Sequence, residues 1–186
     1  MHYPTLKEEK KLWRKGYKIV VGIDEVGRGP LAGPVIACAV AVLQIPNAKL
    51  QMSKLRDSKK LTPKARERFY EILTTHSSIR WGIGSVSPQV IDRINIFQAT
   101  KLAMGRALCQ LEVKLSKTKD IINSCYSKKR LYIDFLILDG NMKLNVSTPQ
   151  KSIVKGDEKV FSCAVASIIA KVKRDRAMKR YHKTYP

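Results

Sequence analysis

Acidic side chains are scarce in this 186-residue chain, with 15 Asp and Glu against 36 Lys and Arg, for a formal charge of +21. Cysteine is rare as well. Cys38, Cys109, Cys125 and Cys163 are widely scattered and no two form a CxxC pair, which argues against a structural zinc site and a disulfide framework and for reduced thiols. The three histidines, His2, His76 and His182, lie in polar stretches and do not complete a zinc set. Long apolar runs are missing too. The longest, Pro34 to Leu43, is about half of the ~20 residues that a spanning helix needs, so a membrane protein is excluded. Met1 to Lys15 is dense in Lys and Glu where an export signal would be apolar, so a cytoplasmic location is expected. Repeats and low-complexity blocks are absent from the sequence.

A hydrophobic content of 44% supplies a real core, and runs such as Ile19-Val20-Val21 and Phe135-Leu136-Ile137-Leu138 require burial, which excludes disorder as the main state. The length suits one domain. Positive charge of this size attracts polyanions, and a basic chain without a membrane anchor is expected to bind phosphate backbones in a salt-dependent way. Lysines cluster at Lys7 to Lys18, Lys54 to Lys64, Lys114 to Arg130 and Lys171 to Lys183. A solvated face accounts for several of these. Residues 113–134 read as a lysine-rich surface insertion and residues 1–16 as a polar N-terminal extension of a single domain spanning 1–186.

Tyr17 to Ile23 predicts a strand that stops at Asp24 and passes into a tight glycine-rich loop, with Val35 to Leu43 returning as the second strand of a hairpin. Thr62-Pro63 predicts a helix start, with Thr62 as N-cap, running to about Leu73. Trp81 to Val86 reads as a third strand. Ser87-Pro88 opens a long helix to about Glu112, with Ile91, Ile94, Ala99, Leu102 and Leu108 as core candidates. Phe135 to Leu138 is a fourth strand and Ser152 to Val154 a short fifth. Val160 to Tyr181 is helical, with Ala164, Ile168 and Val172 on one face. Hairpin first and crossovers later make an α/β domain.

Three times a carboxylate stands beside glycine just past an apolar run: Asp24-Glu25 near Gly27, Asp139 before Gly140, and Asp157 after Gly156. A carboxylate at the end of a buried strand suffers desolvation unless a cation satisfies it, and Mg2+ or Mn2+ suits hard oxygen donors. Two such ions would activate a water and stabilise the leaving oxygen in phosphodiester cleavage. The alternative is that these aspartates are turn residues that bond the backbone. Gly27-Arg28-Gly29-Pro30-Leu31-Ala32-Gly33 is a poor dinucleotide loop, since its third glycine comes one residue late and a strand follows where that motif needs a helix.

Gly22-Ile23-Asp24-Glu25-Val26-Gly27-Arg28-Gly29-Pro30-Leu31-Ala32-Gly33-Pro34-Val35 closely resembles the opening motif of the ribonuclease HII family. Five further segments agree in order: Asp57-Ser58-Lys59-Lys60-Leu61, Ile91 to Ile96, Leu138-Asp139-Gly140-Asn141, Lys155-Gly156-Asp157 and Ala166 to Val172. The resemblance implies a ribonuclease H-like mixed sheet flanked by helices. It also implies endonucleolytic cleavage of RNA in RNA–DNA hybrids and at single ribonucleotides in duplex DNA, leaving 3′-hydroxyl and 5′-phosphate ends, by a monomer that uses Mn2+ or Mg2+. Carried over by position, Asp24, Glu25 and Asp139 are the metal-binding carboxylates and Asp157 the fourth catalytic acid. Gly27, Arg28 and Gly29 contact the ribose 2′-hydroxyl and its phosphates. Ser58, Lys59 and Lys60 lie near the nucleic-acid backbone, while Lys171 and Arg174 either hold phosphate or belong to a solvated helix face.

Two departures from the family pattern stand out. The lysine-rich stretch before Phe135 is longer than usual. The sequence also stops where family members continue into a Gly-Tyr segment and a further helix, so the C-terminal helical region is expected to be truncated. Neither Tyr181 nor Tyr185 falls where the family's tyrosine does. The rival expectation is a truncated, non-catalytic nucleic-acid-binding relative.

Overall fold

The apolar runs assemble as one five-stranded sheet in the order β3-β2-β1-β4-β5. The strands are β1 (Val20–Val26), β2 (Val35–Val42), β3 (Ile79–Val86), β4 (Phe135–Asp139) and β5 (Gln150–Ile153). The computed structural model describes residues 3–43, 61–116 and 132–184. Ser58, Lys59 and Lys60, Cys125 and most of the lysine-rich insertion lie outside the described residues. Strand β2 runs antiparallel to both of its neighbours, β1 and β3, whereas β4 lies parallel to β1 and β5 parallel to β4. The sheet is therefore mixed, as the hairpin-then-crossover reading requires.

Helices cover both faces, which is why every residue of β2 is buried. Side-chain alternation sorts that strand cleanly. Val35, Ala37, Ala39 and Ala41 join the core under α3 (Pro88–Leu115), whereas Ile36, Cys38, Val40 and Val42 join the core under α2 (Pro63–Thr75) and α5 (Phe161–Thr184). The same parity governs β1, where Val21 and Ile23 face the α3 side. Gly22 faces α5, and a Cβ there would lie 2.6 Å from the backbone nitrogen of Cys163, so only glycine lets the helix sit this close to the strand.

Several expectations need revision. Strand β1 does not stop before its acids: Asp24, Glu25 and Val26 remain paired with Cys38, Ala37 and Ile36, because the hairpin partner continues alongside them. The long helix is broken at Asn95 (φ 65°, ψ 164°), whose Oδ1 accepts from the Gln98 amide at 3.1 Å and recaps the helix beyond the kink. Of its core candidates, Ala99 and Leu108 are buried, Ile91 and Ile94 pack on the core from its margin, and Leu102 is exposed because the kink rotates the second segment. Strand β5 starts at Gln150, two residues earlier than read. Thr62 does cap α2, its Oγ1 accepting from the Ala65 amide at 3.2 Å.

Within the polar N-terminal stretch, α1 (Lys7–Arg14) docks on the domain through Leu12 and, unexpectedly, Glu9. Glu9 Oε1 accepts from both the amide and the hydroxyl of Ser162, each at 2.8 Å, and so caps the start of α5 from a distant part of the chain. Burial is the main reason its carboxyl titrates above the usual range. Below about pH 4 the group is protonated in both states. Above that, the unfolded chain releases its proton first, so the contribution of Glu9 to stability falls as pH rises through the folded pKa. Glu9→Gln keeps the acceptor and removes the titration. The difference in melting temperature between Glu9→Gln and the wild type should move in favour of Gln as pH rises from about 4 through the raised titration range of Glu9, and a difference that ignores pH would refute this account.

Candidate active site

Parity places the acids. Asp24 is one residue beyond Ile23 on the α5 side of β1, and Asp139 is one residue beyond Leu138 on β4; because Ile23 and Leu138 are register partners on parallel strands, the two aspartates emerge side by side. Helix α4 (Gly156–Lys159) brings the third. It begins after Lys155, whose left-handed backbone (φ 58°, ψ 47°) costs roughly 1 kcal/mol for a residue with a side chain. That turn aims the Gly156 amide at Asp139 Oδ1, which also accepts from the Gly140 amide at 2.8 Å. Asp157 follows directly, buried.

Oxygen atoms of Asp24, Asp139 and Asp157 lie within 4.8 Å of one another, the one such group of potential metal ligands among the described residues. Asp24 is 5% exposed, and its carboxyl is pushed well above the ordinary range by burial, then by the charges of Asp139 and Glu25; the hydrogen bond from Ser167 on α5 opposes this and Asp157 adds to it. Glu25 is not one of the three. As the next residue along a strand it starts on the opposite side, and its Oε1 takes the Arg28 guanidinium at 3.2 Å. Burial raises its pKa while Arg28 lowers it. Its Oε2 is buried with no hydrogen-bond partner. Crowded, desolvated carboxylates with an unused oxygen beside them fit a hard divalent cation, and Asp24, Asp139 and Asp157 would hold it, with Glu25 adjoining.

Gly27, Arg28 and Gly29 open the loop between β1 and β2, at the same end of the sheet as the acids. Gly27 has φ +106°, and a Cβ there would meet Pro34 O at 2.5 Å, so this position admits only glycine. Neither Lys171 nor Arg174 is a free phosphate ligand: Lys171 Nζ pairs with Asp175 at 2.7 Å, and Arg174 is buried, donating to the carbonyls of Pro34 at 3.0 Å and Ala32 at 2.9 Å. Sequence reasoning also missed the roles of Ser167 and Glu9. A serine inside an otherwise apolar helical run was the available signal for Ser167.

The fold is that of the ribonucleases H. It is shared with the ribonuclease H2 of Pyrococcus horikoshii OT3 (TM-score 0.66, 24% identity, 90% of this chain and 77% of that one). It is shared also with Bst-RNase HIII, solved in complex with Mn2+ (TM-score 0.67, 18% identity, 89% and 55%). The family described as Ribonuclease HII matches residues 21–186, and the chain belongs to that family. The ribonuclease HII of Bacillus mycoides (strain KBAB4) is 47% identical over 180 residues, 97% of this chain and 61% of the relative. The chain thus spans about three fifths of the length of such curated relatives.

With no cation present, the carboxylates repel one another. Asp24→Asn keeps an oxygen for the Glu25 amide and removes the charge that Asp24 carries once pH exceeds its raised pKa, so in that range it should raise the melting temperature of the metal-free protein by about 2–4 °C per kcal/mol of relieved repulsion. Mn2+ should stabilise the wild type in differential scanning calorimetry and have little effect on this variant; equal Mn2+ stabilisation of both would exclude Asp24 as a ligand.

Proposed function

We propose that this chain is a metal-dependent endonuclease that cleaves the RNA strand of RNA–DNA hybrids and nicks at ribonucleotides embedded in duplex DNA. The observation that carries the reading is the convergence of Asp24, Asp139 and Asp157 beside a glycine loop on a strongly basic protein. A bound Mn2+ or Mg2+ would supply an activated water and positive charge at the leaving oxygen, giving 3′-hydroxyl and 5′-phosphate ends. The chain's own residues do the rest. Asp24 and Asp139, held by Ser167 and by the amides of Gly140 and Gly156, present oxygens in fixed directions. Arg28, partly exposed above Glu25, meets the phosphate next to the ribose, and the backbone of the loop from Gly27 to Gly29 approaches the 2′-hydroxyl, the group that separates RNA from DNA. Lysine-rich surface supplies sequence-independent affinity. Ser58, Lys59 and Lys60 extend that contact along the backbone. Membrane association is not part of the reading, since no helix among the described residues is long and apolar enough to cross a bilayer.

A duplex carrying one ribonucleotide, incubated with and without Mn2+, tests the proposal. Metal-dependent nicking at the ribonucleotide is expected, and a salt-sensitive mobility shift without nicking would show a non-catalytic binder instead. Asp139→Asn should abolish cleavage while leaving low-salt hybrid binding largely intact, because phosphate contacts supply most of the affinity. Arg28→Ala should weaken the preference for the ribonucleotide more than total binding; undiminished preference would remove Arg28 from recognition.

A further inference from the structure

The loop at 27–34 has a bare tip and a braced base. A Cβ at Gly29 would touch nothing, and the Leu31 side chain is fully exposed, so the tip has little packing to fix its shape. At the base, a single guanidinium meets both ends of the loop. Arg174 Nε donates to Pro34 O and a terminal nitrogen donates to Ala32 O, and a Cβ added at Gly27 would fall 2.8 Å from that same Nε. One turn further along α5, Met178 packs its sulfur against Gly33.

Arg174 is seven residues beyond Ser167, which hydrogen-bonds Asp24. Seven residues are almost two helical turns, so both side chains leave the same face of α5, about 10.5 Å apart along its axis. We infer that α5 is a rigid spacer between the carboxylates and the glycine loop, and that Arg174 is a positioning residue that sets ribonucleotide selectivity by holding the loop. This rests on the proposed reading of the loop as the ribose-binding element. A forked guanidinium suits the task, since it spans two carbonyls that an ammonium cannot reach together.

The test uses Arg174→Ala and Arg174→Lys in the full chain. Loss of two charge-assisted hydrogen bonds should increase amide exchange in residues 27–34 by about tenfold or more in Arg174→Ala, with Val20–Val26 unchanged. With Ca2+ in place of Mn2+, binding to a duplex with one ribonucleotide is compared with binding to the all-DNA duplex. The ratio of affinities should fall about tenfold in Arg174→Ala and less in Arg174→Lys, while Mn2+ affinity stays within about twofold of the wild type. If Arg174→Ala does not fold, Arg174→Lys decides through the same exchange and ratio measurements. A wild-type preference for the ribonucleotide that survives in the folded variants, with unchanged loop exchange, overturns the role of Arg174 alone. A parallel loss of Mn2+ affinity and global stability overturns it too, by showing a purely structural residue. A wild type that binds both duplexes equally overturns the reading of the loop itself.

Discussion

Repulsion among buried carboxylates is the constraint around which this domain is arranged. Three aspartate side chains share less than 5 Å of space, two of them almost wholly out of water, in a protein otherwise so short of acid that its net charge is +21. Left unassisted, such a cluster would drive its members apart or force them to hold protons. Fixed donors offset part of that tendency: the Ser167 hydroxyl at Asp24, and the Gly140 and Gly156 amides at Asp139. The repulsion that these donors leave is what a divalent cation would relieve.

The rest of the architecture reads as support for those donors. Ser167 reaches Asp24 because α5 lies against β1 over Gly22, and the start of α5 is held by Glu9 from the far end of the chain. The Gly156 amide reaches Asp139 because Lys155 takes a left-handed turn. The chain therefore accepts a strained residue before α4 and a buried acid in α1 to keep the Gly156 amide and the start of α5 in place.

Local chemistry made much of this legible beforehand. Thr62 followed by Pro63 marks a helix start whatever surrounds it, and apolar runs between glycine-rich turns mark strands. Asp24, Asp139 and Asp157 stood out because acids at strand ends are conspicuous in a basic chain. What sequence could not reveal was parity at the end of β1: had the strand been read through Val26, the opposite placements of Asp24 and Glu25 would have followed. Arg174 was hidden among neighbouring lysines and arginines, since nothing local distinguishes a buried guanidinium from a solvated one. Glu9 was hidden for the same reason, an acid in a polar helix whose partner lies 153 residues away.

That long separation bears on how the protein comes into being. The hairpin of β1 and β2 can form as soon as residue 42 is available, but Asp24 then stands without the neighbours that give it chemistry. Asp139, Asp157 and the hydroxyl of Ser167 all emerge long after that hairpin, and the contact from Glu9 cannot close before Ser162, 153 residues further on, has been made. A nascent chain that has reached only the hairpin, with RNA all around it, therefore holds one of the three clustered aspartates and none of the partners that would let it take up a cation.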